Sequence, residues 1–332
     1  MNIVTKYQEI NLSAWDSLVK CSSVRSWFQT SEAFRFFDSL SFMEAFVVAV
    51  TEEAQLKGVT VGYVQGEGKG LKKKLSRRAI IVGGPLLADD ITETQLAAML
   101  ETVCKEISGK AIYIESRNFS DYSRWRGVFE NCGFVYRPHL NFHLDTSNKE
   151  TVDGHLSRTR KRHIHVALRD GATIGEANSE EDMDSFYSIL CDLYRHKVKK
   201  PLLPKEFFTT LAQMPSARIL VVRHEGRVIG GMAYVSLRGS VGYEWYVCGL
   251  DGQNKGLYPS ELATYAGLLQ AVADKCPKFD MMGAGTPDKD YGVRDFKALF
   301  GGTLVEHGRY LRVCRPLVYH MGKTVISLLE KQ

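Results

Sequence analysis

Hydrophobic and polar positions along the chain switch repeatedly between a period of two and a period near 3.6, and the switches mark out elements. Residues 30–40 (TSEAFRFFDSL) open with a Ser/Thr cap, carry a Glu in the first turn and predict a short helix. Runs at 45–51 (AFVVAVT), 59–64 (VTVGYV) and 79–82 (AIIV) are rich in β-branched residues and predict three successive strands. Helical spacing returns over 93–107, followed by a strand at 111–116 (AIYIES), a helix over 120–132 and an alternating strand over 136–144.

The second half repeats that order. A helix is expected over 180–196 and a short one after Pro204, then strands at 217–224, 228–237 and 241–248. A helix at 259–275, a strand at 278–282, a helix near 293–300 and a strand near 307–313 complete the unit. Within this repeat WRGVFENCGFVY, starting at Trp125, aligns without gaps to VRDFKALFGGTL, starting at Val293, so Arg126 matches Arg294 and Gly133 matches Gly301. The expectation is an α/β (α+β) chain made of two copies of one unit, 1–150 and 151–332, each a mixed central sheet flanked by helices.

The length of 332 residues fits two domains of about 150 each. A hydrophobic content of 44% supplies a core for both, and 24% charged residues excludes global disorder. A net charge of +5 suits an anionic ligand but equally describes an ordinary basic surface. A dedicated nucleic-acid binder would carry more charge, gathered in a stripe. Two segments concentrate it: the Gly-rich, basic stretch 66–78, read as a solvated loop, and 151–169 (TVDGHLSRTRKRHIHVALR), read as one helix. The latter is either solvated or a contact for an anion or tRNA.

Seven scattered cysteines with no CxxC pair predict reduced thiols, and no histidine shows metal-ligand spacing, so no metal is expected. The N-terminus lacks a basic segment followed by an apolar one, and no run of about 18 apolar residues occurs, so the expectation is a soluble cytoplasmic protein with no integral membrane segment.

The stretch FDMMGAGTPDKDYGVRDFKALFGG (279–302) resembles the FemAB and tandem-GNAT pattern, in which a strand ending in Phe-Asp leads through a Gly-containing loop to Phe-Lys-x-x-Phe-Gly. SWFQTSEAF (26–34) is similar to that family's opening Phe-Gln-Ser/Thr helix, IESRN (114–118) and CGF (132–134) resemble the close of its first half, and LYRHKVKKPLLPKEFF (193–208) resembles the segment holding a substrate-contacting Arg. The resemblance covers most of the chain. It implies two tandem GNAT-like domains and amide-bond formation on an amine of a cell-wall precursor or a related sugar or peptide, the family being the peptidoglycan aminoacyltransferases. It implies no tightly bound cofactor, with aminoacyl-tRNA or acyl-CoA as co-substrate. The long helical arm that engages tRNA in many relatives has no counterpart here. An acyl-CoA-dependent N-acyltransferase of polysaccharide or lipid assembly, and a non-catalytic binder retaining the fold, are the competing readings.

By the same resemblance Lys297 matches the family lysine placed to stabilise negative charge as an amine attacks a carbonyl, with Phe296 beside it in the substrate site, and Arg195 matches the substrate-contacting Arg. The alternative for Lys297 is a pair with Asp295 or a helix cap, and for Arg195 it is one charge among several on a solvated face. Glu244, among aromatics in GYEWYVCG, is a candidate general base with a raised pKa, or the partner of a neighbouring Arg. Strict alternation would put Tyr246 on its face, as a substrate contact, with Tyr243 and Trp245 opposite. For the donor, the GNAT pattern Gln/Arg-x-x-Gly-x-Gly/Ala is half-formed: Gln253 and Gly256 are present, but Tyr258 replaces the final small residue before Pro259. Oligomeric state is not readable from this pattern.

Overall fold

The computed structural model describes residues 1–68, 70 and 75–329. Most of the basic run expected in the loop at 66–78 (69 and 71–74) lies outside the described residues. The chain divides into two compact units: one made of 1–138 and the residues from 307 onward, the other of 139–306.

In the first unit β1 (Asn2–Val4), β2 (Met43–Glu52), β3 (Gln55–Gln65) and β4 (Arg78–Gly83) form an antiparallel run, with β5 (Leu86–Leu87) beside β3. The β2 and β3 residues at 46, 48, 50 and 64 face a core completed by Leu96, Met99, Leu100 and Val103 of α3 (Glu93–Ile107). Two shorter helices, α1 (Leu12–Cys21) and α2 (Ser31–Asp38), start at side-chain caps: Asn11 accepts from the Ala14 amide and Thr30 from the Ala33 amide. β6 (Tyr113–Asn118) joins β4 in parallel, and α4 (Arg126–Asn131) leads into β7 (Val135–Arg137).

The second unit has the same plan. β8 (Leu140–Asp145) is followed by α5 (Lys149–His155), α6 (Arg158–Arg169), β9 (Thr173–Glu176), α7 (Glu180–Leu193) and α8 (Lys205–Leu211). Then come β10 (Ala217–His224), β11 (Arg227–Leu237), β12 (Val241–Gly249), α9 (Pro259–Ala273), β13 (Lys278–Gly283), α10 (Gly292–Ala298) and β14 (Thr303–Glu306). The sheet runs β14-β8-β13-β12-β11-β10-β9, with only β12 and β13 parallel. Leu262, Ala263, Leu268 and Ala271 of α9 close its core over Met232, Phe279 and Met281. The segment at 151–169 is broken: Ser157 accepts from the Arg160 amide and starts a new helix, α6. The repeat motif occupies equivalent places, each glycine ending a helix with positive φ: 78° at Gly133 and 82° at Gly301.

The units differ from the two halves expected with a boundary after residue 150, because each sheet takes a strand from the half expected to form the other. The expected strand at 136–144 is two strands, split at Pro138, which cannot donate to a ladder. β7 stays in the first sheet, while β8 enters the second between β13 and β14. The segment near 307–313 does not close the second unit. β14 does that, and β15 (Arg309–Val313) enters the first sheet between β6 and β7, ahead of α11 (Pro316–Leu329). Among the described residues no helix is long and apolar enough to cross a membrane, and no group of three His, Cys, Asp or Glu side chains is placed to hold a metal ion. All seven cysteines are free.

Candidate functional site

The two parallel strand pairs are built differently. In the first unit β4 and β6 stay paired over five successive residues, Ala79–Gly83 against Ile114–Asn118. There Gln29 Nε2 donates to the Gly83 and Gly84 carbonyls at 3.1 and 3.0 Å, and the Tyr122 hydroxyl donates to Pro85 O at 2.7 Å, clasping the strand end from inside. In the second unit β12 and β13 are paired only over Val241–Tyr243 and Lys278–Asp280. Beyond that point they diverge, and a cavity of about 640 Å³ opens, with Glu244, Trp245, Tyr246 and Val247 on one wall and Met281, Met282 and Gly283 on the other.

Two bulges shape the gap. On β12, Ala233 faces Tyr246 while the next residue, Tyr234, faces Glu244, so Trp245 is the extra residue. This overturns the strict alternation expected of the strand. Glu244 turns toward α9, where its Oε2 accepts from Thr264 Oγ1 at 3.0 Å. Tyr246 turns the other way, its ring 5.0 Å from that of Phe208, and Trp245 shares Phe207 with it. On β13, Asp280 faces His143 and Gly283 faces Asn141, leaving Met281 and Met282 in the bulge. Met282 sits at φ 57°, a left-handed conformation held by its amide donating to Asp280 Oδ1 at 2.6 Å. Burial alone would raise the Asp280 carboxyl, but His143, Asn141 and the Met282 amide outweigh it and hold it below the ordinary value.

Bulging turns the Met281 and Gly283 carbonyls out of the ladder, and Lys297 takes both. Its Nζ donates to Met281 O and, at 3.1 Å, to Gly283 O, and lies 3.5 Å from Glu244 Oε1. Lys297 is 6% exposed and Glu244 3% exposed, and both line the cavity. Burial pushes the Glu244 carboxyl above its ordinary value, against the lowering pull of Lys297 and the Thr264 hydroxyl. Lys297 has no ion pair with Asp295; its partner is Glu244. Phe296 also lines the cavity, and its ring is covered on the far side by the Arg160 guanidinium at 4.5 Å.

Arg195 is placed differently from expectation. It lies in a wide π-helical turn, Tyr194–Val198, that extends α7, and its side chain is exposed, outside the cavity lining. Its neighbours Tyr194 and Lys197 line the cavity instead, with Lys200. Burial pushes the Tyr194 hydroxyl up to about 12, so it stays a neutral donor. Gln253 is exposed and lines a smaller adjoining groove of about 230 Å³ with Asp192, His196 and Lys197. Gly256 lies in the turn after it at φ 89°, lining neither space. Tyr258, also left-handed at φ 45°, turns its ring away to stack on His163 at 3.7 Å. The start of α9 carries no free amide: Pro259 has none, Ser260 donates to Asp251 Oδ1 at 3.1 Å, and Glu261 and Leu262 both donate to Tyr258 O at 3.0 Å.

Tyr194, Lys197, Asp251, Met282 and Tyr291 are cavity residues that the sequence pattern did not single out. Tyr194 and Lys197 lie in the 193–208 stretch, and Met282 and Tyr291 in the 279–302 stretch, that carry the resemblance, whereas Asp251 lies in neither. Within the basic segment, Arg160 points inward and pairs with Glu261, whose other neighbour is His163 at 3.1 Å. Arg158, Lys161, Arg162, His165 and Arg169 are exposed.

The family profile described as an acetyltransferase (GNAT) domain matches residues 155–297, the span that holds the splayed strands, Glu244 and Lys297. No curated protein matches the sequence of this chain. Among solved structures the chain is similar to FemX, at 14% identity and a TM-score of 0.73, over 97% of this chain and 99% of that one. It is similar to a tandem GNAT protein from the clavulanic acid biosynthesis pathway at 10% identity, TM-score 0.58, over 94% and 98%. It is also similar to L-PGS from Bacillus licheniformis at 12% identity, TM-score 0.56, over 92% of each chain. Residues 155–297 thus match a GNAT acetyltransferase domain, and the chain as a whole has the fold of FemX and of the tandem GNAT protein.

Proposed function

We propose that the second unit joins an acyl or aminoacyl group to a primary amine carried by a cell-wall precursor or a related sugar or peptide. The observation that supports this reading is the pairing of Glu244 with Lys297 at the mouth of a splayed parallel strand pair. The acceptor nitrogen attacks the donor carbonyl carbon, the new C–N bond forms, and the donor's carrier leaves with its electron pair. Glu244, its carboxyl raised by burial, takes the proton that the amine sheds. Lys297 holds that carboxylate in place and supplies positive potential on the wall where the carbonyl oxygen gains charge. Tyr194, neutral across the physiological range, offers a hydroxyl from the cavity lining. Catalysis is positioning plus electrostatic stabilisation, with no covalent enzyme intermediate.

The cell-wall acceptor is carried by the FemAB resemblance of the sequence, and the FemX-like fold over nearly the whole chain is consistent with it. GNAT domains as a class use acyl-CoA as co-substrate, and an aminoacyl-tRNA donor is the alternative carried by the FemAB resemblance. The test is mass-spectrometric detection of amide product from a UDP-linked muropeptide bearing a free amine, with acyl-CoA or aminoacyl-tRNA as donor. Product formed by the native chain and lost in Glu244→Gln and Lys297→Ala supports the reading. Undiminished product in both variants overturns the assignment of these residues.

A further inference from the structure

A helix N-terminus opening into a cavity is ordinarily a seat for an anion, because its first amides have no partner within the helix. α9 opens beside the cavity in this way, yet its seat is filled from within. Asp251, two residues past the end of β12, accepts the Ser260 amide on Oδ1 at 3.1 Å and the Ser260 hydroxyl on Oδ2 at 2.5 Å. Asp251 and Ser260 both line the cavity. The fit is close: a Cβ on Gly249 would lie 2.4 Å from the Ser260 nitrogen, so the strand end approaches the helix start only because position 249 is glycine. Pro259 at the first helical position removes one more donor, and the next two amides are spent on Tyr258 O.

We propose that Asp251 selects the acyl donor by excluding one anchored through a diphosphate at the start of α9, and so admits a donor whose carrier sets its charge elsewhere. This rests on the second unit being the transfer site. A diphosphate approaching this point meets a carboxylate instead of free amides. It loses the hydrogen bonds that would hold it and faces like charge at the same place. Bulk at Tyr258 is not the obstacle: its ring is stacked on His163.

The experiment is calorimetric titration of the full chain with coenzyme A, and with ADP as a diphosphate lacking the pantetheine arm. Three proteins are compared: native, Asp251→Gly, which frees the Ser260 amide, and Asp251→Asn, which keeps an acceptor on that amide but removes the charge. The expected result is no saturable binding by the native chain at millimolar ligand, and affinity improved about ten-fold or more in Asp251→Gly, with a smaller gain in Asp251→Asn. If Asp251→Gly does not fold, Asp251→Asn carries the test. Micromolar binding of coenzyme A by the native chain overturns the proposal, and so does failure of every folded variant to bind better than it. Binding needs no turnover, so this result is independent of whether Glu244 and Lys297 perform transfer.

Discussion

The ammonium of Lys297 lies 3.5 Å from a carboxylate oxygen of Glu244, and each residue is almost wholly buried. Lys297 comes from α10 and Glu244 from β12, so the contact spans the splay and ties its two sides together. Two bulges make this possible: one re-aims Glu244, the other frees the carbonyls that hold the Lys297 ammonium.

Breaking the pair from one side should cost stability and activity together. Lys297→Met leaves the Glu244 carboxylate buried without its counter-charge, a loss of about 3–5 kcal/mol for pairs of this kind. The double variant Lys297→Met with Glu244→Gln removes both charges and is expected to recover most of that stability in a denaturant melt. Transfer should stay down by about 100-fold or more in both. Recovery of activity along with stability would make the pair a structural brace.

Glu244 also sets a pH signature. Its folded carboxyl is raised above its unfolded value, so its contribution to stability is complete below the unfolded value and is lost as pH rises through the folded one. The melting temperature of the native chain relative to Glu244→Gln should therefore fall as pH rises above about 4.5. Turnover should move oppositely, because a proton acceptor works only when ionised. The acid limb of kcat should lie above the ordinary carboxyl range and vanish from the residual activity of Glu244→Gln. A flat stability difference over that window would contradict the burial of this group.

Much of this architecture is legible in the hydrophobic pattern, because the repeated order of strands and helices follows from local periodicity. Partner choice is not. The residues at 136–144 alternate well enough for one strand, and only Pro138 hints at a break; nothing local says that β8 belongs to the other sheet. At the site, Lys297 and Glu244 stand out by type and setting. The face each presents depends on bulges at Trp245 and at Met281 and Met282, and those are set by neighbouring strands. Asp251 escapes notice because its role is a contact nine residues away, across a loop.

The π-helical turn yields a comparison. Arg195 is exposed and outside the cavity, while Lys197 lines both the cavity and the adjoining groove. Arg195→Ala should change kcat/KM less than about two-fold, within the small effects typical of surface positions. Lys197→Ala should raise KM for an anionic substrate by about ten-fold, with kcat nearly unchanged, the mark of a contact made equally in ground and transition states. The reverse order of effects would restore Arg195 as the substrate contact.

The exchanged strand makes a claim about the C-terminus. β15 places Arg309 beside Glu115 of β6 at 3.3 Å, with Arg117 on the same carboxylate at 2.7 Å. Burial would raise the Glu115 carboxyl, but the two guanidiniums outweigh it and bring it down to about 2. A carboxyl lowered on folding stabilises the fold above its unfolded pKa, and that contribution is lost as pH falls through the folded value. Glu115→Gln should thus cost about 2–3 kcal/mol near neutrality, with the penalty shrinking toward pH 2. The loss should act on β15 first, since Arg309 is released with it. Hydrogen exchange read by mass spectrometry should show faster exchange over 309–313 and in the facing amides of β6 and β7, with β10 and β11 of the second unit unchanged. A chain cut after Glu306 should show the same pattern in the extreme, exposing β6 and β7 while β8 to β14 keep their protection. Protection of β6 and β7 that survives the cut would mean the first unit does not need the strand it takes from beyond the second.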